Sequence, residues 1–199
     1  MKRRTALLAP LFALVLATPA AAERISLNEL SRYLNGLKTV VSDFTQINAD
    51  GTISTGTVYI SRPGRVRFEY APPDKTLVMA GGGQVAVFDG KSNQAPEQYP
   101  LSRTPLSIIL ADNVNLGQAR MVTQHREEKN TTTVTAQDPA HPEYGNIKMV
   151  FTAKPTELRQ WVVTDNTGQK TTVILGDLKK GVEIGPSRFS IPTEVNKRR

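Results

Sequence analysis

The sequence predicts an α+β fold in which an open, incomplete antiparallel β-barrel of about nine to eleven strands lies under a helical lid and surrounds an apolar cavity. Three observations predict it: a β-hairpin with a definable register, a series of short strand-like runs separated by turn residues, and two short amphipathic helices. Because the connections between strands are short, consecutive strands are expected to pair antiparallel. A twisted sheet of this size tends to curl, and the apolar stripes of the helices then cover its open side.

The hairpin spans residues 56–70, with residues 62–64 as a three-residue loop. This loop length leaves one face apolar and the other polar, whereas a two-residue loop would place Arg67 beside Ile60 and mix the two faces. We interpret the polar face as solvated. Arg62 leans by parity toward the apolar side, where a cation needs a hydrogen-bonding partner or a wet cavity. The expected pairs are Ser61–Arg65, Ile60–Val66, Val58–Phe68 and Gly56–Tyr70.

Two amphipathic helices are predicted from their start residues and their apolar spacing. Ser26 and Glu29 form a capping box, in which Ser26 accepts a backbone N–H bond and Glu29 reaches back. Thr104 is expected to be the N-cap of a second, shorter helix with Pro105 at its first position. The first helix carries the apolar stripe Leu27, Leu30, Leu34 and Leu37, and the second carries Leu106, Ile109 and Leu110 on one face.

Most of the remaining chain is typical of short strands. A strand is expected to begin near Val41, and residues 81–83, all glycine, are expected to form a bend or bulge between two strands. These glycines do not form a phosphate loop, because no G-K-[ST] follows and no helix begins there. Further strands are predicted at residues 77–80, 84–89, 121–127, 131–137, 147–153, 158–165 and 169–178.

The first residues have the pattern of a secretory leader. Basic residues at 2–4 precede a mostly apolar run at 5–18 and three alanines at 20–22, so residues 1–22 are predicted to be a cleaved signal peptide. A membrane anchor is the alternative, but the apolar run is shorter than the roughly 20 residues that span a bilayer, and prolines interrupt it. We expect residues 23–199 to form a single domain.

Composition excludes several classes of function. The chain has no cysteine, which excludes disulfides, thiolate catalysis and thiolate metal sites. Its formal net charge of +7 includes three positive leader residues, and Lys197, Arg198 and Arg199 form a basic tail. Because export makes nucleic acid an implausible partner, an anionic membrane surface or an acidic protein is the expected alternative to a simply solvated basic surface.

Motifs for catalysis are absent from the sequence. His125 and His141 are the only histidines, and each is expected on a surface strand or in a loop; no G-x-S-x-G motif is present. We therefore expect a non-enzymatic binding module that needs no cofactor and no metal. Its apolar faces could close into a dry core. With only six Phe, five Tyr and one Trp to fill a barrel, a partly filled hollow that accommodates an acyl chain is favoured.

A set of motifs in order resembles the LolA family of periplasmic lipoprotein carriers from Gram-negative bacteria, over nearly all of the mature chain. A helix leads into Asp43-Phe44-Thr45-Gln46, and the hairpin strands and the R-P-G loop at 62–64 follow. Arg65 departs from the family, since the best-known members have an apolar residue there. The remaining matches are Pro73, residues 77–78, residues 87–89, residues 104–106, and residues 189–192, which resemble the closing strand of the family.

The resemblance implies a function and a site. Members accept triacylated lipoproteins from an inner-membrane ABC exporter, hold the acyl chains in the cavity and deliver them to an outer-membrane receptor. Arg62 matches an arginine that bonds to lid carbonyls in the closed, empty state. A lipid-binding or envelope-stress-sensing periplasmic domain on the same scaffold and a secreted hydrolase are the alternatives, and a monomer is expected. The cavity and lid candidates are Val58, Ile60, Val66, Phe68, Tyr70, Pro105, Leu106, Ile109 and Leu110.

Overall fold

The computed structural model describes residues 24–92 and 94–198, so the predicted leader lies outside the described residues. Three α-helices are formed, α1 (Leu27–Gly36), α2 (Leu106–Leu110) and α3 (Ile191–Lys197). Across these residues, every helix is too short or too polar to cross a membrane. The strands are β1 (Thr39–Ile47), β2 (Ile53–Ser61), β3 (Arg65–Tyr70), β4 (Leu77–Gly81), β5 (Gln84–Phe88), β6 (Glu97–Pro100), β7 (Val122–Glu128), β8 (Thr131–Gln137), β9 (Asn146–Thr152), β10 (Glu157–Thr164), β11 (Lys170–Leu175) and β12 (Lys179–Lys180).

All twelve strands belong to one antiparallel sheet that does not close on itself. Its order is β6-β5-β4-β3-β2-β1-β11-β10-β9-β8-β7, and β12 pairs with the first part of β1. The chain therefore meanders outward from β1 to one edge, passes through α2, and returns by a second meander. This confirms the predicted open antiparallel architecture.

The register of the β2–β3 hairpin is the predicted one. Ser61 pairs with Arg65, Ile60 with Val66, Val58 with Phe68 and Gly56 with Tyr70. Gly64 closes the three-residue loop with a φ of 70°, a backbone conformation that favours glycine.

Strand boundaries agree with the sequence patterns to within a few residues, with two exceptions. Strand β6 was not predicted, because Glu97–Pro100 has no apolar alternation. The strand predicted at 169–178 is shorter in the structure, because β11 ends at Leu175, and the two-residue strand β12 lies beyond the predicted range. The bend predicted at residues 81–83 is a tight hairpin turn, in which Gly82 and Gly83 have positive φ.

The helix starts differ in detail from the capping predictions. The Ser26 Oγ accepts the Glu29 N–H at 3.2 Å, but the Glu29 carboxylate accepts from the Thr156 hydroxyl at 2.8 Å rather than reaching back. Thr104 is not the N-cap of α2, because Pro105 occupies that position without a side-chain cap. The Thr104 hydroxyl instead donates to the Leu101 carbonyl at 2.8 Å.

The C-terminal residues do not form the expected closing strand. Pro186–Phe189 is a 3₁₀ turn, and Ser190 then caps α3 by accepting the Thr193 N–H at 3.3 Å. Pro192 is tolerated in the first turn of α3 because the first helical N–H groups have no intrahelical partner. Residues 190–193 therefore begin a helix, although the resemblance to the family predicted a strand there.

The sheet buries apolar residues on both of its faces. The main core lies on the concave face, where α1 and α2 cover residues from both meanders. A second, smaller core lies on the other face of β4 and β5, because alternate strand residues point to opposite faces. It consists of Leu77, Met79, Ala86 and Phe88 packed against Ile191 and Val195 of α3.

The predicted solvation of the polar hairpin face is wrong for Arg67. Its side chain is only 12% exposed, because the 3₁₀ turn and α3 cover it. The Arg67 Nε bonds to the Glu69 carboxylate at 2.6 Å, and Nη1 bonds to the Glu194 carboxylate at 3.0 Å and the Arg188 carbonyl at 3.2 Å. Arg188 also stacks 3.8 Å from the centre of the Tyr59 ring. A short C-terminal segment thus converts this face into an interface.

Candidate functional site

Arg62, in the loop between β2 and β3, is buried with 8% of its surface exposed. Its Nη1 donates to the carbonyl of Leu34 in the last turn of α1. Its Nη2 donates to the carbonyl of Ala111, just after α2, at 2.5 Å and to the Asn35 side-chain oxygen at 3.2 Å. One guanidinium group therefore joins the ends of the two helices that cover the concave face.

The electrostatics of this contact explain why a buried cation is tolerated. Burial lowers the pKa of Arg62, and the charge of Asp112 opposes that shift. Carbonyls at helix C-termini lack intrahelical donors and carry partial negative charge, so a cation there is favourable. The Arg62 Nε has no partner among the described residues, which leaves one buried N–H unsatisfied.

Backbone bonds reinforce the same junction. The Arg62 N–H donates to the Lys38 carbonyl after α1, and the Gly64 N–H donates to the Leu110 carbonyl in α2, both at 2.8 Å. The hairpin loop is thus bonded to both helices through main chain as well as side chain.

Asn35 joins the two helical segments to each other. Its side-chain oxygen accepts the Val114 N–H at 2.8 Å, and its side-chain nitrogen donates to the Val114 carbonyl at 2.9 Å. The Ser31 hydroxyl accepts the Leu116 N–H at 3.0 Å. Sequence reasoning missed Asn35, because an asparagine near a helix end is ordinarily read as a terminator of that helix.

The predicted cavity and lid residues come together on the concave face. Eight of the nine candidates belong to the main core, and Pro105 is buried at the start of α2. Five of the eight are buried in the core between the sheet and the helices, whereas three line an open cleft. The packed residues are Val58, Ile60, Val66, Ile109 and Leu110, and those in the cleft are Phe68, Tyr70 and Leu106.

The cleft has a volume of about 250 Å³ and lies between the two meanders. Its walls are formed by Gln46, Phe68, Tyr70, Val78, Val85, Val87, Tyr99, Thr104, Leu106, Trp161, Val163, Thr171 and Val173.

Aromatic rings form the floor between the two walls. Phe44 lies edge-on to both Phe68 and Tyr70, with ring centres 5.4 and 5.3 Å apart, and Phe68 meets Trp161 at 6.3 Å. Gly56 permits this packing, because a Cβ there would lie 2.9 Å from the Phe44 ring and 2.1 Å from the Glu69 carbonyl oxygen. Trp161, the only tryptophan, was not assigned to the cavity from the sequence, because a β-bulge between Leu158 and Gln160 interrupts the alternation along its strand.

Tyr70 is the main polar group among these rings. Its hydroxyl donates to the Gln46 side-chain oxygen at 2.8 Å. Burial raises the Tyr70 pKa to about 12, and the hydrogen bond to Gln46 only partly opposes that rise. Tyr70 is therefore a neutral hydrogen-bonding group at physiological pH.

The histidines lie away from the cleft. His125 is on β7, where its Nε2 lies 2.9 Å from the Ile25 carbonyl, and burial lowers its pKa. His141 is exposed in a loop, with Nδ1 2.9 Å from the Glu143 carboxylate. In residues 24–92 and 94–198, no three His, Asp or Glu side chains are grouped to hold a metal ion.

The open sheet, the two helices bonded to it at the Arg62 junction and the apolar cleft between the meanders define a scaffold with a covered apolar interior. The family model described as outer membrane lipoprotein carrier protein LolA matches residues 35–192, and the chain belongs to this family.

Two curated relatives agree with this assignment. An outer-membrane lipoprotein carrier protein from Methylococcus capsulatus is 24% identical over 185 residues, covering 88% of each chain. Another from Xylella fastidiosa strain Temecula1 is 30% identical over 154 residues, covering 73% of each chain. A solved structure of a LolA superfamily protein from Nitrosomonas europaea is 8% identical with a TM-score of 0.44, and the match covers 83% of this chain and 98% of that one.

Proposed function

We propose that this protein is a periplasmic carrier that takes acylated lipoproteins from an inner-membrane ABC exporter to an outer-membrane receptor and holds their acyl chains between the sheet and the two helices. The observation that carries the proposal is the Arg62 junction, where one buried guanidinium group joins the ends of both helices that cover the apolar face. Family membership supports lipoprotein as the cargo. The protein acts as a monomer, without catalysis or a cofactor.

Energetics make the junction suitable for reversible opening. The bonds of Arg62 to the helix ends stabilise the closed form by about 1 to 3 kcal/mol. Burial of each methylene contributes about 0.8 kcal/mol, so about four buried methylenes offset these bonds. Because α1 and α2 are packed on much of the apolar face, uptake of a long acyl chain requires the helices to move away from the hairpin. In this proposal Arg62 holds the lid closed. The nine cavity and lid candidates contact the acyl chain of the cargo.

The test is release of lipoprotein from membranes. Inner-membrane vesicles that contain the exporter and a triacylated lipoprotein are supplied with ATP and the purified protein. We expect lipoprotein in the supernatant as a soluble complex, and transfer from it to outer membranes that contain the receptor. Failure to release lipoprotein contradicts the proposal and favours the lipid-binding or sensing alternative, since a sensor binds lipid without moving lipoproteins between membranes.

Matched variants locate the contact surface. Leu106→Gln places an amide in the cleft and is expected to reduce release severalfold, because an unpaired polar group in an apolar site is costly. Ile174→Gln changes a residue that is 39% exposed on β11 and is expected to leave release unchanged. Equal effects of the two substitutions would contradict the assignment of the cleft.

A further inference from the structure

One end of the apolar cleft is polar. Gln46 on β1, Tyr70 on β3 and Thr171 on β11 all line it. Gln46 pairs with Val173 across the β1–β11 ladder, so Thr171, two residues earlier on the same face, lies diagonally opposite Gln46. Three polar side chains from three strands therefore line a cleft whose other walls are largely apolar.

These side chains retain hydrogen-bonding capacity. The Tyr70 hydroxyl donates to the Gln46 oxygen at 2.8 Å, and the Gln46 side-chain nitrogen donates to the Asn48 side-chain oxygen at 2.6 Å. A glutamine amide has two N–H groups, and among the described residues the second one has no acceptor. The tyrosine oxygen can also still accept. The polar end thus offers a donor to a ligand without breaking the bonds already present.

The polar groups continue to the protein surface. Asn48 donates to the Thr52 hydroxyl at 2.9 Å in the exposed turn between β1 and β2. In the other direction the cleft leads to Phe68, Leu106 and Trp161. An amphipathic ligand would therefore have one favourable orientation, with its polar group toward the turn.

We propose that Gln46, Tyr70 and Thr171 form a carbonyl-binding subsite that selects acyl chains carrying an ester or amide carbonyl and directs the chain toward Trp161. This inference rests on the acyl-binding function proposed above. An ester or amide carbonyl that enters an apolar cleft loses its hydrogen bonds to water, which is costly unless a protein donor replaces them. A hydrocarbon without a carbonyl gains nothing from the subsite.

The experiment uses the fluorescence of Trp161, the only tryptophan, to titrate the purified protein with methyl decanoate and with dodecane. We expect both ligands to change the emission. Gln46→Leu is expected to weaken ester binding about fivefold, the value of one neutral hydrogen bond, and to leave alkane binding unchanged or stronger. Tyr70→Phe keeps the ring contact with Phe44 and is expected to weaken ester binding in the same direction.

Gln124→Leu, a matched substitution at an exposed position on β7, is expected to change neither affinity. Equal weakening of ester and alkane, or unchanged ester binding, overturns the subsite but leaves acyl binding intact. A wild-type protein that binds neither ligand overturns the acyl-binding function and the subsite with it. If Gln46→Leu does not fold, as judged by thermal unfolding, the Tyr70→Phe titration decides between these outcomes.

Discussion

Arg62 combines features that are individually unfavourable. It is a buried cation with one unsatisfied N–H, and it is placed between two helix ends that belong to different parts of the chain. Buried charges persist when partners compensate for lost hydration, and here the partners are main-chain carbonyls. Apart from the bond to the Asn35 side chain, the contact therefore depends on where the backbones of the helix ends lie.

Replacing Arg62 by leucine is expected to keep the fold and to loosen the cover. Loss of the bonds to Leu34 and Ala111 should destabilise the closed form by about 1 to 3 kcal/mol. Hydrogen exchange of the α2 amides should therefore accelerate, and lipoprotein uptake or release should change. Arg65→Leu is the control, because Arg65 on β3 bonds within its own hairpin, to the Ser61 carbonyl on β2 at 3.1 Å. Unchanged exchange and transfer in Arg62→Leu would remove this residue from the mechanism.

Gly56 is a second residue on which the site depends. Gly56→Ala is expected to destabilise the protein by about 1 to 3 kcal/mol, because the added methyl group would collide with the Glu69 main chain and the Phe44 ring. Gly36→Ala at the end of α1 is the control: no atom lies within 4 Å of the added group, so the free energy of unfolding should stay equal or rise by up to about 1 kcal/mol. Denaturant unfolding measures both, and a neutral Gly56→Ala would contradict the close packing.

At the scale of elements, α3 is bound to the sheet by apolar and ionic contacts together. Burial acts to raise the pKa of Glu194, but hydrogen bonds from Arg198 and Arg67 outweigh it, so the pKa is lowered. A carboxylate with a lowered pKa in the folded state stabilises that state above its unfolded pKa of about 4.3. This contribution is lost as the pH falls through the lower folded value.

Glu194→Gln should therefore reduce the acid sensitivity of the fold. Thermal unfolding from pH 7 to pH 3 should show a loss of stability at neutral pH relative to wild type, and a smaller further loss below about pH 4.3. Glu183→Gln, at an exposed position, serves as the control and should follow the wild-type profile. An acid limb identical to wild type in Glu194→Gln would show that the ion pairs with Arg67 and Arg198 do not stabilise α3.

Elements governed by local periodicity were predictable, and those governed by distant contacts were not. The hairpin register follows from the parity of residues 56–70, and β8 has the predicted bounds. The cover over Arg67 depends on α3, which lies about 120 residues further along the chain. The structure shows the close approach of this segment at Gly81. A Cβ there would lie 2.1 Å from the Phe189 carbonyl oxygen, so the residue that faces the C-terminal segment has no side chain.

The candidate site was predictable in part for the same reason. Arg62 stood out because a cation on an apolar face demands partners, but the sequence could not say which carbonyls supply them. The wall formed by β10 and β11 was missed, because strands far apart in sequence become opposite walls only through the order of the sheet.

At the scale of the whole molecule, the open sheet has two edges that could pair with another chain. Strand β6 is four residues long and ends in Pro100, and β7 carries Arg126, Glu127 and Glu128. Short strands, proline and charges all oppose edge-to-edge association. The Arg24 side chain also donates to the His125 carbonyl on β7 at 3.0 Å.

The protein is therefore expected to be a monomer over the micromolar range. Light scattering coupled to size-exclusion chromatography should give the mass of one chain, and replacing Arg126, Glu127 and Glu128 by threonine should promote association. A stable dimer of the unaltered protein would contradict this expectation.

The two-sided burial of β4 has a mechanical consequence. Its neighbour β3 continues directly from the loop that holds Arg62, and Arg67 on β3 is fixed from behind by Glu194 of α3. The loop is thereby anchored to a part of the sheet that is packed on both faces. If the cover opens as proposed, we expect Arg62 to be the stationary side of the joint and α1 and α2 to be the parts that move.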